Sequence, residues 1–285
     1  MRITRCSATL CLLLASVAAG CGDDNATGTD ADAYDLADPL KGGISYDLFW
    51  SASTGYNQSD PLIATFAARS DFFRCKQCHG WDQLGSNGFY ISRKPSASRP
   101  NISSVNLVTL IQASTPQQLF DAIKTGSGAM RRAPTVDLMS YNPAIDPTIG
   151  DQMPDYSAFM SDAQIWDLVR FLKEDALVVS DLYDMTVTGA YPTGSVTFAN
   201  IGKDGVASIG ETIYAANCEF CHGFNGKART LEGQSLGAFF RGKPHEVQHK
   251  IRYGQVGSTM KPTRLTLGEM KNLYKYLVDS LVMPR

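Results

Sequence analysis

Three residues recur at one spacing: Cys75-Lys76-Gln77-Cys78-His79, and again Cys218-Glu219-Phe220-Cys221-His222. Two thiols three positions apart on one turn can each add to a vinyl group of the same porphyrin, while the adjacent histidine is turned toward the iron. A chance C-x-x-C-H should arise on the order of 0.002 times in a chain of this composition and length, so two copies are not coincidence. Competing uses of C-x-x-C are a zinc knuckle, a thioredoxin-like redox pair and a structural disulfide. Zinc would need four Cys/His ligands and leaves the identical histidine offset unexplained; a redox pair normally follows a strand and does not recur. The motifs therefore read as two covalent haem c attachments, at Cys75, Cys78 and His79 and at Cys218, Cys221 and His222. The other three cysteines, Cys6, Cys11 and Cys21, all lie near the N-terminus.

The elements that must position these residues also repeat. Each motif sits in the order short helix, motif, loop, helix ending in glycine, methionine-containing loop, aromatic-bearing helix. The middle helices read FDAIKTG (Phe120–Gly126) and VQHKIRYG (Val247–Gly254). In the first copy, residues 61–73 are helix-compatible. Ser161 is a good N-cap for a helix with Ile165, Leu168, Val169 and Leu172 on one face. The second copy is expected to place helices over 210–217, 243–253 and 267–282, the last with Leu273, Tyr276 and Leu277 inward. Residues 180–204, with Tyr191-Pro192-Thr193-Gly194 as a turn signal, read as an extended or hairpin-like connector. The expected fold is mainly α: one haem domain over 43–176 with an insertion at about 131–151, a linker over 177–206, and a second domain over 207–285.

On these motifs the chain resembles a tandem class I cytochrome c, a dihaem electron carrier, over roughly residues 60–175 and 207–285. The resemblance implies that a methionine, commonly followed by proline and just before the last helix, supplies the sixth iron ligand. GSTMKPTRLTLGEMKNLYKYL places Met260 there, 38 residues after His222, with Lys261 intruding before Pro262. In the first domain Met153-Pro154 precedes the Ser161 helix. Met130 is the rival, since it follows Gly126 much as Met260 follows Gly254, and an insertion of about Arg131 to Asp151 reconciles both alignments. Met153 is preferred because the ligand loop must lead directly into the last helix; Met139 and Met160 read as packing residues. Only His245 and His249 are spare, four positions apart on one helical face. They are expected to be exposed or on the propionate side, the alternative being that one replaces Met260. The first domain has no spare histidine, so His/Met ligation is expected, which raises the potential and saturates the iron.

At 285 residues and 44% hydrophobic the chain suits two modest globular domains. Arg2 and Arg5 precede an apolar run from Ala8 to Ala19, and Ala18-Ala19-Gly20-Cys21 resembles a bacterial lipobox. Residues 1–20 are thus expected to be a signal peptide, Cys21 a lipidated anchor, and acidic 22–42 a flexible tether. No other segment reaches the ~18 apolar residues of a membrane span. The net charge of −2 hides a division: residues 207–285 hold 11 Lys/Arg against 6 Asp/Glu, net +5, and residues 1–206 hold 15 against 22, net −7. The basic residues are scattered without aromatic stacking runs, which disfavours nucleic acid. They suggest redox protein partners, acidic at the second domain, where the resemblance puts Lys227, Arg229, Lys261 and Arg264 near an exposed haem edge. The expected function is electron transfer on the extracytoplasmic side of a bacterial membrane, in the periplasm or cell envelope. The alternatives are a dihaem oxidoreductase, peroxidase-like or thiosulfate-dehydrogenase-like, and a haem subunit of a larger complex.

Overall fold

A computed structural model describes residues 29–126 and 129–285. The signal segment and Cys21 lie outside the described residues. The architecture is mainly α. Helices α1 (Asp30–Leu36), α2 (Pro39–Leu48), α3 (Leu62–Ala68), α4 (Cys75–His79), α5 (Leu107–Ala113), α6 (Pro116–Lys124), α7 (Pro147–Asp151) and α8 (Asp162–Arg170) build the first domain. An antiparallel hairpin, β1 (Asp184–Thr188) with β2 (Ser195–Ala199), follows in the register Asp184 opposite Ala199. Helices α9 (Ala207–Asn217), α10 (Glu219–His222), α11 (Leu236–Gly242), α12 (Pro244–Tyr253) and α13 (Leu267–Leu277) build the second. Among the described residues no helix is long and apolar enough to cross a membrane.

The first domain begins earlier than the sequence suggests. Residues 30–36 and 39–42, expected to be tether, are helical, and α2 is among the most buried segments of the chain. Its N-terminus is well specified: Asp38 accepts from the amides of Leu40 and Lys41, and Pro39 occupies the first helical position. What buries it is closeness of approach. A β-carbon at Gly42 would stand 1.9 Å from the Asp167 carbonyl oxygen of α8, and one at Gly43 2.2 Å from the ring of Tyr253 in the second domain. Small residues in contact with backbone leave no hydrophobic stripe to detect, so the segment reads as linker although it is core.

Around α2 and α8 the core is aromatic. Phe49, Phe66, Phe72 and Phe73 are at most 2% exposed, and Phe120 stacks on Trp166 with ring centroids 4.3 Å apart. Helix α8 carries the capping box Ser161/Gln164 and buries Ile165, Leu168 and Val169 as its pattern requires. It leaves through a π turn, Phe171–Asp175, that carries the Asp175 carboxylate to the second domain. In that domain α13 is capped by Thr266/Glu269 and ends at Leu277, short of the expected 282. Beyond it the chain turns back, with the Met283 amide donating to the Asp279 carbonyl and the Met283 side chain wholly buried.

The two domains meet along α12. Lys250 pairs with the buried Asp47 at 3.0 Å, and Arg74 and Lys76 close on the same carboxylate. Burial alone would raise the Asp47 carboxyl, but Lys250, Arg74 and Lys76 outweigh it and hold that group well below the usual range. Asp175 receives Arg252, Arg264 and the Tyr253 hydroxyl. Much of the charge division between the halves is therefore spent inside the molecule, and Arg264 faces the first domain rather than a partner. His245 and His249 are 1% and 2% exposed, a correction to their expected exposure. His245 stacks on Phe89 at 3.6 Å, and an His249 ring nitrogen is 2.8 Å from the Gly43 carbonyl. Burial pushes His249 down to about 3, so both rings are uncharged packing groups near neutrality.

Membership of α2 in the fold has a direct test. Gly42→Val forces side-chain atoms into the α8 backbone and is expected to destabilise the protein by about 3 kcal/mol, read as a lower urea midpoint. An unchanged midpoint would mean that residue 42 is tether after all.

Candidate haem sites

Helix α9 ends where the second motif begins, and the short turn α10 carries it. The amides of Cys221 and His222 both bond the Cys218 carbonyl, which stacks the two cysteines and the histidine on one turn. Gly223 follows with φ 77°, a conformation that excludes a β-carbon and swings the chain away behind the histidine. The Tyr214 hydroxyl donates to the Gly223 carbonyl at 2.6 Å, tying the turn to α9. Cys218, Cys221, His222 and Met260 all line one cavity of about 750 Å³, walled by apolar side chains that include Leu236, Phe239, Val247 and Leu273. Met260 is held in its loop by its amide on the Ser258 hydroxyl and its carbonyl on the Gln255 amide. Neither His245 nor His249 lines this cavity, so neither is placed to replace Met260.

The first motif is built the same way. Helix α4 carries Cys75–His79, Gly80 has φ 79°, and the Tyr46 hydroxyl donates to the Gly80 carbonyl at 2.7 Å. Tyr46 lies on α2, so α2 is the counterpart of α9. The helix read at 61–73 belongs instead to a segment between that first helix and its motif. The match extends to the terminal helices: a β-carbon at Gly42 would meet the Asp167 carbonyl at 1.9 Å, and one at Gly210 the Asn272 carbonyl at 2.0 Å. The side-chain oxygens of Asp167 and Asn272 accept from the amides of Asp38 and Val206, each four residues before its glycine. The signature Gly-x-x-x-Tyr, at 42–46 and 210–214, was present in the sequence and was missed.

Met153 packs on the core that also holds Cys75, and its carbonyl accepts from the Arg132 amide at 3.0 Å. Three residues on, the Tyr156 hydroxyl donates to the Phe73 carbonyl at 3.0 Å and lies 3.7 Å from the Cys75 sulfur. The Met153 loop therefore lies against the first motif. Met130 is 76% exposed, Met139 is 72% exposed, and Met160 is buried in the core. The expected insertion 131–151 contains α7 and a wholly buried Arg132, for which no sequence signal had been found.

Burial, with a smaller effect of Arg131, pushes His79 down to about 4, and burial also lowers His222, so both imidazoles keep a free lone pair. Burial pushes Cys75 and Cys218 up to about 11 and Cys78 to about 12, and none of the four thiols is in a disulfide. Among the described residues no group of three or more His, Cys, Asp or Glu is gathered to hold a metal ion. Paired thiols, a neutral histidine and a thioether around an apolar chamber fit a haem: the cysteines attach the macrocycle and the histidine supplies a ligand to its iron.

Comparison with known families agrees. The cytochrome c family model matches residues 66–175, and the model for cytochrome c oxidase, cbb3-type, subunit III matches residues 205–277. No curated protein and no solved structure matches the chain. Each matched segment contains one C-x-x-C-H turn in a mainly α, cytochrome c-like fold, and the two matched segments are accordingly cytochrome c-type domains, which support covalent binding of haem c and a haem electron carrier.

Proposed function

We propose that the protein is a dihaem carrier that passes electrons between redox partners on the extracytoplasmic side of a bacterial membrane. The observation that carries this reading is the coincidence of Cys218, Cys221, His222 and Met260 on one apolar cavity, beside a second Cys-x-x-Cys-His turn whose Cys75 packs on the same core as Met153. A bound haem exchanges one electron between ferric and ferrous iron. The chain's part would be to hold that group and exclude water, with His79 and Met153 at the first motif and His222 and Met260 at the second as ligands to iron, and an iron so ligated would not readily take a substrate. Acid-acetone-treated protein should retain the mass of two haems, and Met153→Ala should remove about half of the weak thioether-to-ferric absorption at the red end of the spectrum. Loss of that absorption in Met130→Ala but not in Met153→Ala would overturn the ligand assignment. The match of residues 205–277 to an oxidase subunit model favours one second reading, a haem subunit of a larger oxidoreductase.

Attachment to a membrane through lipidated Cys21 rests on the lipobox-like Ala-Ala-Gly-Cys. Cys21→Ser should move the protein to the soluble periplasmic fraction; unchanged membrane retention would sink that anchor. The redox partner is taken to be acidic. Phe220 and Phe224 are 100% and 68% exposed beside the second motif, with Lys227, Arg229 and Lys261 exposed around them. Exposed charges are screened over roughly 8–10 Å at 0.1–0.15 M salt, so stopped-flow exchange with anionic oxidants should slow as salt rises. A rate indifferent to both salt and oxidant charge would leave these residues as solubilising surface.

A further inference from the structure

Arg132 is the largest of the wholly buried side chains, 1% exposed. The other buried cations at the domain boundary have carboxylates: Lys250 and Lys76 share Asp47, and Arg252 pairs with Asp175. Arg132 has none among the described residues. Its guanidinium donates to the Gly150 carbonyl at 3.2 Å and to the Phe72 carbonyl, and its Nε has no partner. Burying an ion without a counter-charge costs several kcal/mol, so a fold that keeps one needs a reason.

Its position supplies one. The guanidinium lies 5.1 Å from the ring of Phe73, two residues before Cys75. Its backbone pairs with the Met153 loop on both sides: its amide donates to the Met153 carbonyl, and its carbonyl accepts from Asp155 at 2.8 Å. One residue thus joins the segment entering the first motif to the loop of the proposed distal ligand. The second site has no equivalent. Of the cations on its cavity, Arg229 and Lys261 are exposed to solvent and Lys250 is paired with Asp47, which it shares with Arg74 and Lys76.

We propose that Arg132 is a potential-setting residue of the first site, a fixed and buried positive charge that holds its reduction potential above that of the same ligand set without it. Reduction adds one negative charge to the centre, and a cation in a poorly screened interior stabilises that state more than it would in water. Arginine stays protonated throughout the physiological range, so the effect is constant between pH 6 and 8. This inference rests on reading Cys75–His79 as a haem electron-transfer site.

The test is a spectroelectrochemical titration of the full-length holoprotein. Arg132→Met should disfavour reduction of one haem by about tenfold, equivalent to about 59 mV for a one-electron couple, and leave the other in place. The shifted couple should be the one that Met260→Ala does not disturb. Arg132→Lys, which keeps the charge and loses the planar fork, should restore most of the difference. Arg132→Gln serves where the Met variant does not fold. Potentials that do not move while two haems remain bound would overturn the role of Arg132, as would a Lys variant shifted as far as the neutral ones. A wild-type protein with haem at the second motif alone would instead overturn the reading of the first site.

Discussion

In each domain one helix lies directly on the backbone of the last, and the haem motif hangs from that crossing. Gly42 meets the carbonyl of Asp167 and Gly210 that of Asn272, at distances no β-carbon would permit. The tyrosine one turn beyond each glycine then reaches the carbonyl of the motif glycine, Tyr46 to Gly80 and Tyr214 to Gly223. The orientation of the Cys-x-x-Cys-His turn is fixed by this chain of contacts from terminal helix to glycine, tyrosine and motif. A wider crossing would move the tyrosine, and with it the turn that aims the histidine. Local sequence makes the turn, but a long-range backbone contact places it.

The same arrangement explains why some features could be read from the sequence and others could not. The C-x-x-C-H turns are dictated by covalent chemistry and stand out against any background. The capped helix from Ser161 and the helix from Leu267 follow ordinary amphipathic patterns, and Met260, singled out by the family resemblance, lies on one cavity with Cys218, Cys221 and His222. Helix α2 escaped because its burial uses Gly42, Gly43 and Ser45, whose composition resembles a linker. The repeat was consequently aligned on the wrong first helix: Tyr214 precedes Cys218 by four residues, whereas Tyr46 precedes Cys75 by 29. Periodicity reports large apolar faces and says little about close packing of small residues.

Charge misled in a similar way. Summed over the halves, it suggested opposite outward-facing fields, yet Lys250, Arg252 and Arg264 turn inward onto Asp47 and Asp175. A net charge counts ions without saying which are paired, and the pairing depends on which helix faces join. His245 and His249 carry the same lesson. Their i, i+4 spacing did put them on one side of α12, but that side packs against Phe89, Trp81 and Gly43 rather than facing solvent.

Helix α12 belongs to the second domain by sequence and to both by contact. Val247 and Ile251 line the Met260 cavity, while His245, Gln248, His249 and Arg252 are buried against the first domain. One wall of the second pocket is thus anchored in the first domain. A fragment beginning at residue 207 would uncover two neutral histidines and leave Lys250 and Arg252 without counter-ions along that wall. By these contacts the boundary that the duplicated motif draws through the sequence is crossed by buried ion pairs and hydrogen bonds, and the two halves are better regarded as one packed body.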